Sequence, residues 1–292
     1  MNISSTLVNY KRLIRADKPI GTLLLLWPCL LALLPAEGIV PEYSVIAVFV
    51  IGVFVMRSAG CIINDIADIK FDKYVTRTKD RPLTNGDLPI AHAWALFCLF
   101  ILAAFLLVLS LKPGTVLLSL GALFVAVLYP WGKRWFRYPQ FILGIAFSWS
   151  IPMVYYEITS NIPLGGIYLW LACICWVIAY DTIYAMVDRE DDLKIGINSS
   201  AISFGENDVK SITRFYGLFF IGLGFFAFYM HLGLGFYIGL VMTIAYWFRY
   251  IFTKYKTRQP EDCFQAFLNN NKIGIILFAS LAFATTSKIP IS

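Results

Sequence analysis

The chain has 292 residues, of which 59% are hydrophobic, 16% aromatic and only 14% charged, and its mean hydropathy is +0.71. Soluble domains carry about 25% charged residues, so a water-soluble globular fold is excluded and an all-α polytopic membrane protein is expected. The net charge of +6 reads as a topology signal, because no basic stripe interleaves with exposed aromatics as nucleic-acid binding would require.

In chain order, Lys11, Arg12, Arg15 and Lys18 precede a first apolar run, Ile20–Ala36. This mimics a secretory leader, but Leu34-Pro35-Ala36-Glu37 is a poor cleavage site and further apolar runs follow at once, so a retained first helix is expected. The next runs are Tyr43–Ile63, Ile90–Leu111, Thr115–Tyr129, Phe141–Ile158, Leu164–Val187, Phe215–Met230, Leu234–Phe252 and Ile273–Ser287. Several are short for a hydrocarbon core of ~30 Å. Nine spans are expected, or eight if Thr115–Tyr129 is re-entrant. With the N-terminus cytoplasmic and the C-terminus periplasmic, the inner segments are 1–19, 64–89, 130–140, 188–214 and 253–272. They and the inner helix ends then hold all but Lys112 and Lys288 of the 24 Lys and Arg, as the positive-inside rule demands. The outer loops are short and poor in charge. The whole chain, 1–292, reads as one domain whose working face opens to the cytoplasm.

The second run ends on Asn64-Asp65-Ile66-Ala67-Asp68-Ile69-Lys70-Phe71-Asp72. Acidic side chains at the mouth of a membrane helix are costly and mark function. Asn64, Asp68 and Asp72 are spaced by four, which on a helix places them along one face. The same D-x-x-x-D spacing recurs at Asp188 and Asp192, after the sixth run. Two such oxygen-rich sets suit hard divalent cations, and Mg²⁺ shares its shell with substrate phosphates. After the first set come Arg77, Lys79 and Arg81, and a further inner cluster holds Lys133, Arg134 and Arg137. Basic loops are ordinary on the inner face; cations beside matched acids are what a polyanion needs, and Lys133 is favoured over its neighbours as a diphosphate partner. Asp181 lies seven residues before Asp188, hence on nearly the same helical face, and Arg57 lies seven before Asn64, aimed at the same cavity. For Arg57 the competing reading is snorkelling, and for Arg15, Asp17 and Lys18 it is interfacial anchoring.

Other polar features read as structural. Cys29, Cys61, Cys98, Cys173, Cys175 and Cys263 fall mostly within spans and are expected to pack as small apolar residues. His92 and His231 are isolated, and Gly235-x-x-x-Gly239 is a helix-contact motif. No phosphate-binding glycine loop, zinc set or nucleophile elbow occurs.

Taken together, Asn64-Asp65-x-x-Asp68-x-x-x-Asp72, Arg77-Thr78-x-x-Arg81-Pro82-Leu83 and Asp188-Arg189-Glu190-Asp191-Asp192-x-Lys194-x-Gly196 resemble the UbiA-type intramembrane prenyltransferases. Arg15-x-Asp17-Lys18-Pro19, Arg57-x-Ala59-Gly60-Cys61, Tyr129-Pro130-x-x-Lys133-Arg134 and the segment from Cys263 to Asn271 narrow the resemblance to the branch acting on 4-hydroxybenzoate. The resemblance implies nine transmembrane helices around a cavity open to the cytoplasm, in the inner membrane of a bacterium. It implies that Asn64, Asp68, Asp72, Asp188 and Asp192 hold Mg²⁺ on a polyprenyl diphosphate, with Arg77, Arg81 and Lys133 on the diphosphate itself. The implied reaction moves the polyprenyl group onto the ring of 4-hydroxybenzoate in ubiquinone synthesis. Arg57 is the candidate for the acceptor carboxylate, and Asp181 belongs to the substrate-binding set. One departure is Asn198, where relatives commonly carry Lys; Lys194 is the expected substitute. Other acceptors of the superfamily (homogentisate, dihydroxynaphthoate, haem) stay open, as does an ion-coupled transporter, although that would place its acids near the bilayer midplane. A CDP-alcohol phosphotransferase would need a D-G-x-x-A-R signature, which is absent.

Overall fold

The structure, a computed structural model, describes residues 3–34 and 41–286. The leader-like boundary at Pro35–Glu37, most of the outer loop 37–42, the end of the last expected span and Lys288 lie outside the described residues. Among those described, every regular element is helical.

Helix α1 (Ile3–Leu13) leads into α2 (Ile20–Leu33) and α3 (Tyr43–Asp68). Then follow α4 (Ile90–Val108), α5 (Pro113–Trp135), α6 (Pro139–Ser148), α7 (Ser150–Thr159) and α8 (Leu164–Val187). After α8 come two short helices, α9 (Arg189–Ile195) and α10 (Ser200–Phe204), then α11 (Asp208–Tyr229) and α12 (Leu234–Trp247). A π-helical turn, Phe248–Phe252, leads to the single turn α13 (Thr253–Tyr255) and to α14 (Pro260–Thr286). Proline opens α5, α6 and α14, at the helix position that has no N–H to lose. The break between α6 and α7 falls where Pro152 withdraws the N–H that the carbonyl of Ser148 would accept.

Among the described residues, eight helices, counting 139–159, 200–229 and 234–255 each as one, are long and apolar enough to cross a membrane, and α2, with 14 residues, is a shorter ninth. The expected count of nine thus becomes eight full-length candidates and one short apolar helix. The doubtful run Thr115–Tyr129 is part of the 23-residue α5, so re-entry is not needed to place it. The chain is a polytopic membrane protein.

The helices close a ring. α2 packs on α3, α7 and α14; α3 on α4 and α5; α5 on α6 and α7; and α8 on α6, α11 and α14. Most of the apolar length of α8 is buried and almost none of that of α4, so α4 faces outward and α8 is the central helix. Its Trp176, Val177, Tyr180 and Ile183 form the core with Phe219 and Leu277. The tandem asparagines of α14 tie this core together. Asn270 accepts from Trp176 Nε1 and from the Tyr216 hydroxyl, both at 2.8 Å, and Asn271 accepts from Trp27 Nε1 at 2.8 Å. The Gly235/Gly239 pair bears out its structural reading, since a Cβ at Gly239 would strike Ser280 of α14 and one at Gly235 would meet Phe283.

A second, smaller apolar cluster joins Leu13 of α1, Ile62 and Ile66 of α3, Leu83, Leu88 and Ala93. It pins the segment between α3 and α4 against the end of α3. Turn hydrogen bonds from Thr78 N to Val75 O, Arg81 N to Thr78 O and Thr84 N to Arg81 O, each 3.0 Å, fix its path. The basic loop is therefore an ordered cap over one end of the helix ring.

Candidate active site

A cavity of about 770 Å³ runs through the ring, walled by α2, α3, α4, α5, α6, α7 and α8. The expected metal and substrate residues line it: Asn64, Asp68, Asp72, Asp188 and Asp192, the cations Arg57, Arg77, Arg81 and Lys133, and Asp181; Lys79, Arg134, Arg137 and Lys194 do not. The acids and three of the cations crowd its mouth, while Arg57 and Asp181 stand deeper.

The single-face expectation for the first acid set needs correction. α3 ends at Asp68, and Asp72 opens a separate 3-10 turn, Asp72–Tyr74. The chain turns at this point because Thr78 Oγ1 donates to Asp72 O at 3.0 Å and Phe71 N to Asp68 O at 2.8 Å. The turn holds Asp72 beside Arg81, whose Nη1 donates to Asp72 Oδ2 at 2.7 Å. Asp68 meets Lys133 Nζ at 3.2 Å, and the same ammonium lies 3.4 Å from Asn64 Oδ1. Lys133 reaches it because α5 continues through Pro130 to Trp135; the inner loop expected from residue 130 begins later. Arg134 donates instead to the carbonyl of Ala67.

Across the mouth, Asp188 caps α8 and Asp192 lies on α9. Arg77 bridges the two sets. Its Nε donates to Asp188 Oδ1 at 3.0 Å and its Nη2 to Asp188 Oδ2, while Nη1 meets the Tyr184 hydroxyl and the guanidinium lies over the Tyr184 ring at 4.6 Å. Next to it, Thr76 N donates to Asp191 Oδ2 at 3.1 Å. That backbone N–H holds the Asp191 carboxyl below its ordinary range. Asp192 is moved the other way: burial, then the neighbouring charge of Asp188, push it up to about 7. Burial likewise raises Asp72, against the pull of Arg81 and with the repulsion of Asp65 and Asp68. Carboxylates raised by burial and by one another gain most from an added cation.

The donors suit Mg²⁺: four carboxylates and one amide, all hard oxygen, on the wall of one cavity. Among the described residues no three acids, His or Cys converge as a ready-made cage; Asp68, Asp72 and Asp188 are each held by a protein cation.

Two residues carry more than their sequence suggested. Asp65, only 1% exposed, accepts from Arg15 Nη2 at 2.7 and 3.0 Å and lies 3.0 Å from Arg81 Nη1. Helical spacing sets it about 100° from Asn64 and about 60° from Asp68, at the edge of the face those two share, so its sequence signal was its place inside the motif. Arg15, read equally as an anchor, is its partner. Asp208, fully buried, binds Arg189 Nη1 at 2.8 Å and Arg258 Nη2 at 2.7 Å and so moors α9; no motif announced it. Lys194, the expected substitute for a lysine at 198, does not line the cavity. Its side chain is 72% exposed and pairs with Asp191 at 3.5 Å, whereas Asn198 lines the cavity with its N–H on Lys133 O at 3.0 Å.

Arg57 forms no ion pair among the described residues, and its Nε is buried without a hydrogen-bond partner. Its guanidinium lies 5.5 Å from the Phe147 ring centroid, in space left by Gly21, where a Cβ would strike it.

A family profile described as the UbiA prenyltransferase family matches residues 25–281. The chain is 47% identical over 279 residues to a 4-hydroxybenzoate octaprenyltransferase of Shewanella amazonensis, with 93% of each chain covered. It is 48% identical over 275 residues to one of Tolumonas auensis, covering 94% of this chain and 96% of that one. Among solved structures, the fold is similar to a UbiA homolog from Aeropyrum pernix (TM-score 0.79, 22% identity, 90% of this chain and 97% of that one). It is also similar to a UbiA homolog from Archaeoglobus fulgidus bound to DMAPP and Mg²⁺ (TM-score 0.75, 19% identity, 96% of this chain and 100% of that one).

Proposed function

We propose that this chain, which belongs to the UbiA prenyltransferase family, is a Mg²⁺-dependent enzyme that transfers a polyprenyl group from its diphosphate to the ring of 4-hydroxybenzoate in ubiquinone synthesis. The names of its relatives favour an octaprenyl donor. The whole chain, 1–292, serves as one domain in a bacterial inner membrane, with the mouth facing the cytoplasm. The observation that carries this reading is a cavity with two acid sets and three cations at its mouth and an unpaired guanidinium inside.

Asn64, Asp68, Asp72, Asp188 and Asp192 would hold Mg²⁺, giving up the protein cations that now neutralise the aspartates. Bound Mg²⁺ supplies positive charge to the diphosphate oxygens as they become a leaving group. Arg77, Arg81 and Lys133, released from their carboxylates, meet the same oxygens and stabilise the charge that develops when the allylic C–O bond breaks. Apolar walls, with Phe49, Leu143, Phe147 and Met153 among them, keep water from the allylic cation. Arg57 takes the acceptor carboxylate by a charge-assisted, two-point contact and aims the ring inward. The ring carbon beside the phenolic hydroxyl attacks, and its proton passes to the released diphosphate or to Asp181.

The test is the mass of the product formed from a mixture of prenyl diphosphates, 4-hydroxybenzoate and Mg²⁺. The octaprenyl adduct of 4-hydroxybenzoate is expected; prenylation of a different aromatic acceptor in preference would overturn the assignment.

A further inference from the structure

Among the described residues, few buried polar atoms lack a hydrogen-bond partner, and most of them lie away from the cavity. Those on its wall are Arg57 Nε, the Tyr180 hydroxyl and Ser150 Oγ, and the Ser150 hydroxyl is in contact with the Cys29 thiol. Tyr180 is 1% exposed. A hydroxyl with no partner in a membrane interior is costly, because no solvent satisfies it.

The ring that carries it is held firmly. Trp176 meets it edge-on at 5.7 Å and Phe267 at 6.0 Å. Trp176 is in turn stacked on Phe219 at 5.2 Å and bonded to Asn270. A flip of the Tyr180 ring leaves its oxygen on the flip axis, so the hydroxyl stays where this aromatic shell puts it.

Depth along the helices relates Tyr180 to Arg57. Arg57 precedes Asn64 by seven residues on α3, about 10 Å at 1.5 Å per residue. Tyr180 precedes Asp188 by eight on α8, about 12 Å. Asn64 and Asp188 both stand at the mouth, so the two unpartnered groups lie at matching depth on two walls. The Tyr180 hydroxyl is within electrostatic reach of Arg57 and of Asp181. The diphosphate partners Arg77, Arg81 and Lys133 are a level higher, beside the acids.

We infer that the Tyr180 hydroxyl is a specificity-determining contact of the acceptor, donating to its carboxylate beside the Arg57 fork. The inference rests on the function proposed above and adds the residue that rejects acceptors without an anionic group. A phenol O–H left facing a methyl or hydrogen stays unpaired, and sites that strand a buried polar group discriminate strongly.

Tyr180→Phe keeps the ring and its packing and removes the donor alone. In full-length protein, at saturating octaprenyl diphosphate, its KM for 4-hydroxybenzoate should rise about 10- to 100-fold, the loss of one hydrogen bond to a charged group. The KM for octaprenyl diphosphate, the half-saturating Mg²⁺ and the melting temperature should change little. 4-Methylphenol, tested as a competing ligand, should bind the variant and the unaltered protein alike. An unchanged KM for 4-hydroxybenzoate, an equal loss for 4-methylphenol, or a loss confined to octaprenyl diphosphate would each overturn the assignment. If the unaltered protein ignores 4-hydroxybenzoate and prenylates another aromatic acid, the proposed acceptor falls. Tyr180→Phe measured on that acid then decides this inference, with the same selective loss expected.

Discussion

Arg77 grips Asp188 with two guanidinium nitrogens, Nε on Oδ1 at 3.0 Å and Nη2 on Oδ2. This joins the loop after the first acid set to the first residue of the second. The arginine holds the carboxylate that the proposed chemistry assigns to metal. The same fork geometry fits a diphosphate.

Arg77→Lys keeps the charge but loses the planar two-point contact. The KM for prenyl diphosphate should rise about 10- to 100-fold, roughly 1.4–2.8 kcal/mol, with the KM for 4-hydroxybenzoate nearly unchanged. Steady-state kinetics with each substrate varied in turn would check this. Equal kinetics for Lys and Arg would remove Arg77 from the diphosphate site.

Divalent metal should be indispensable, since two acid sets hold a diphosphate only through cations. Excess chelator should stop turnover, and Mg²⁺ should restore it. Asp68→Ala and Asp188→Ala should each lower kcat by roughly 100-fold or more while the protein stays folded. Asp65→Asn should differ in kind. It leaves Arg15 without its carboxylate and Arg81 with Asp72 alone, so its main effect is lost stability of about 3 kcal/mol, seen as a lower melting temperature in detergent.

Arg57→Ala should weaken use of 4-hydroxybenzoate by a few kcal/mol in kcat/KM, on the scale of a lost ion partner. Octaprenyl diphosphate binding should be nearly intact, and Arg57→Lys should also be impaired. Lost diphosphate affinity with unchanged acceptor dependence would reassign Arg57 to the diphosphate.

Asn270→Ala leaves Trp176 Nε1 and the Tyr216 hydroxyl without their shared acceptor. Each stranded donor costs about 1–3 kcal/mol, so stability should fall by roughly 2–6 kcal/mol. Thermal unfolding in detergent measures this, and an unchanged melting temperature would show that both donors find other partners.

Orientation is testable by labelling single cysteines in a background without the native six. Asp87→Cys, between α3 and α4, should react with an impermeant thiol reagent only from the cytoplasmic side. Asn161→Cys, between α7 and α8, should react only from the periplasmic side. The reverse pattern would invert the proposed topology.

Membrane class, helical architecture and the identity of the mouth were legible in the sequence, because each rests on something local. A run of apolar residues long enough to cross a bilayer has few folds open to it. Acids at the end of such a run are costly enough to mark a site wherever the chain goes afterwards. The residues named on that basis do meet in one cavity. What the tertiary structure decided was which cation faces which acid, and which polar groups face nothing. Asp72 left the helical face expected of it because Thr78 and Arg81, later in the chain, fold the backbone into a turn there. Lys194, two residues after the motif aspartate Asp192, points to solvent. Asp65 and Asp208 became anchors through arginines distant in sequence. Tyr180 looked like any aromatic of a buried helix until its neighbours were in place. Helical periodicity fixes the angle at which a side chain leaves its own helix, whereas a salt bridge, or an unpaired hydroxyl in a cavity wall, is a relation between helices that only their packing sets.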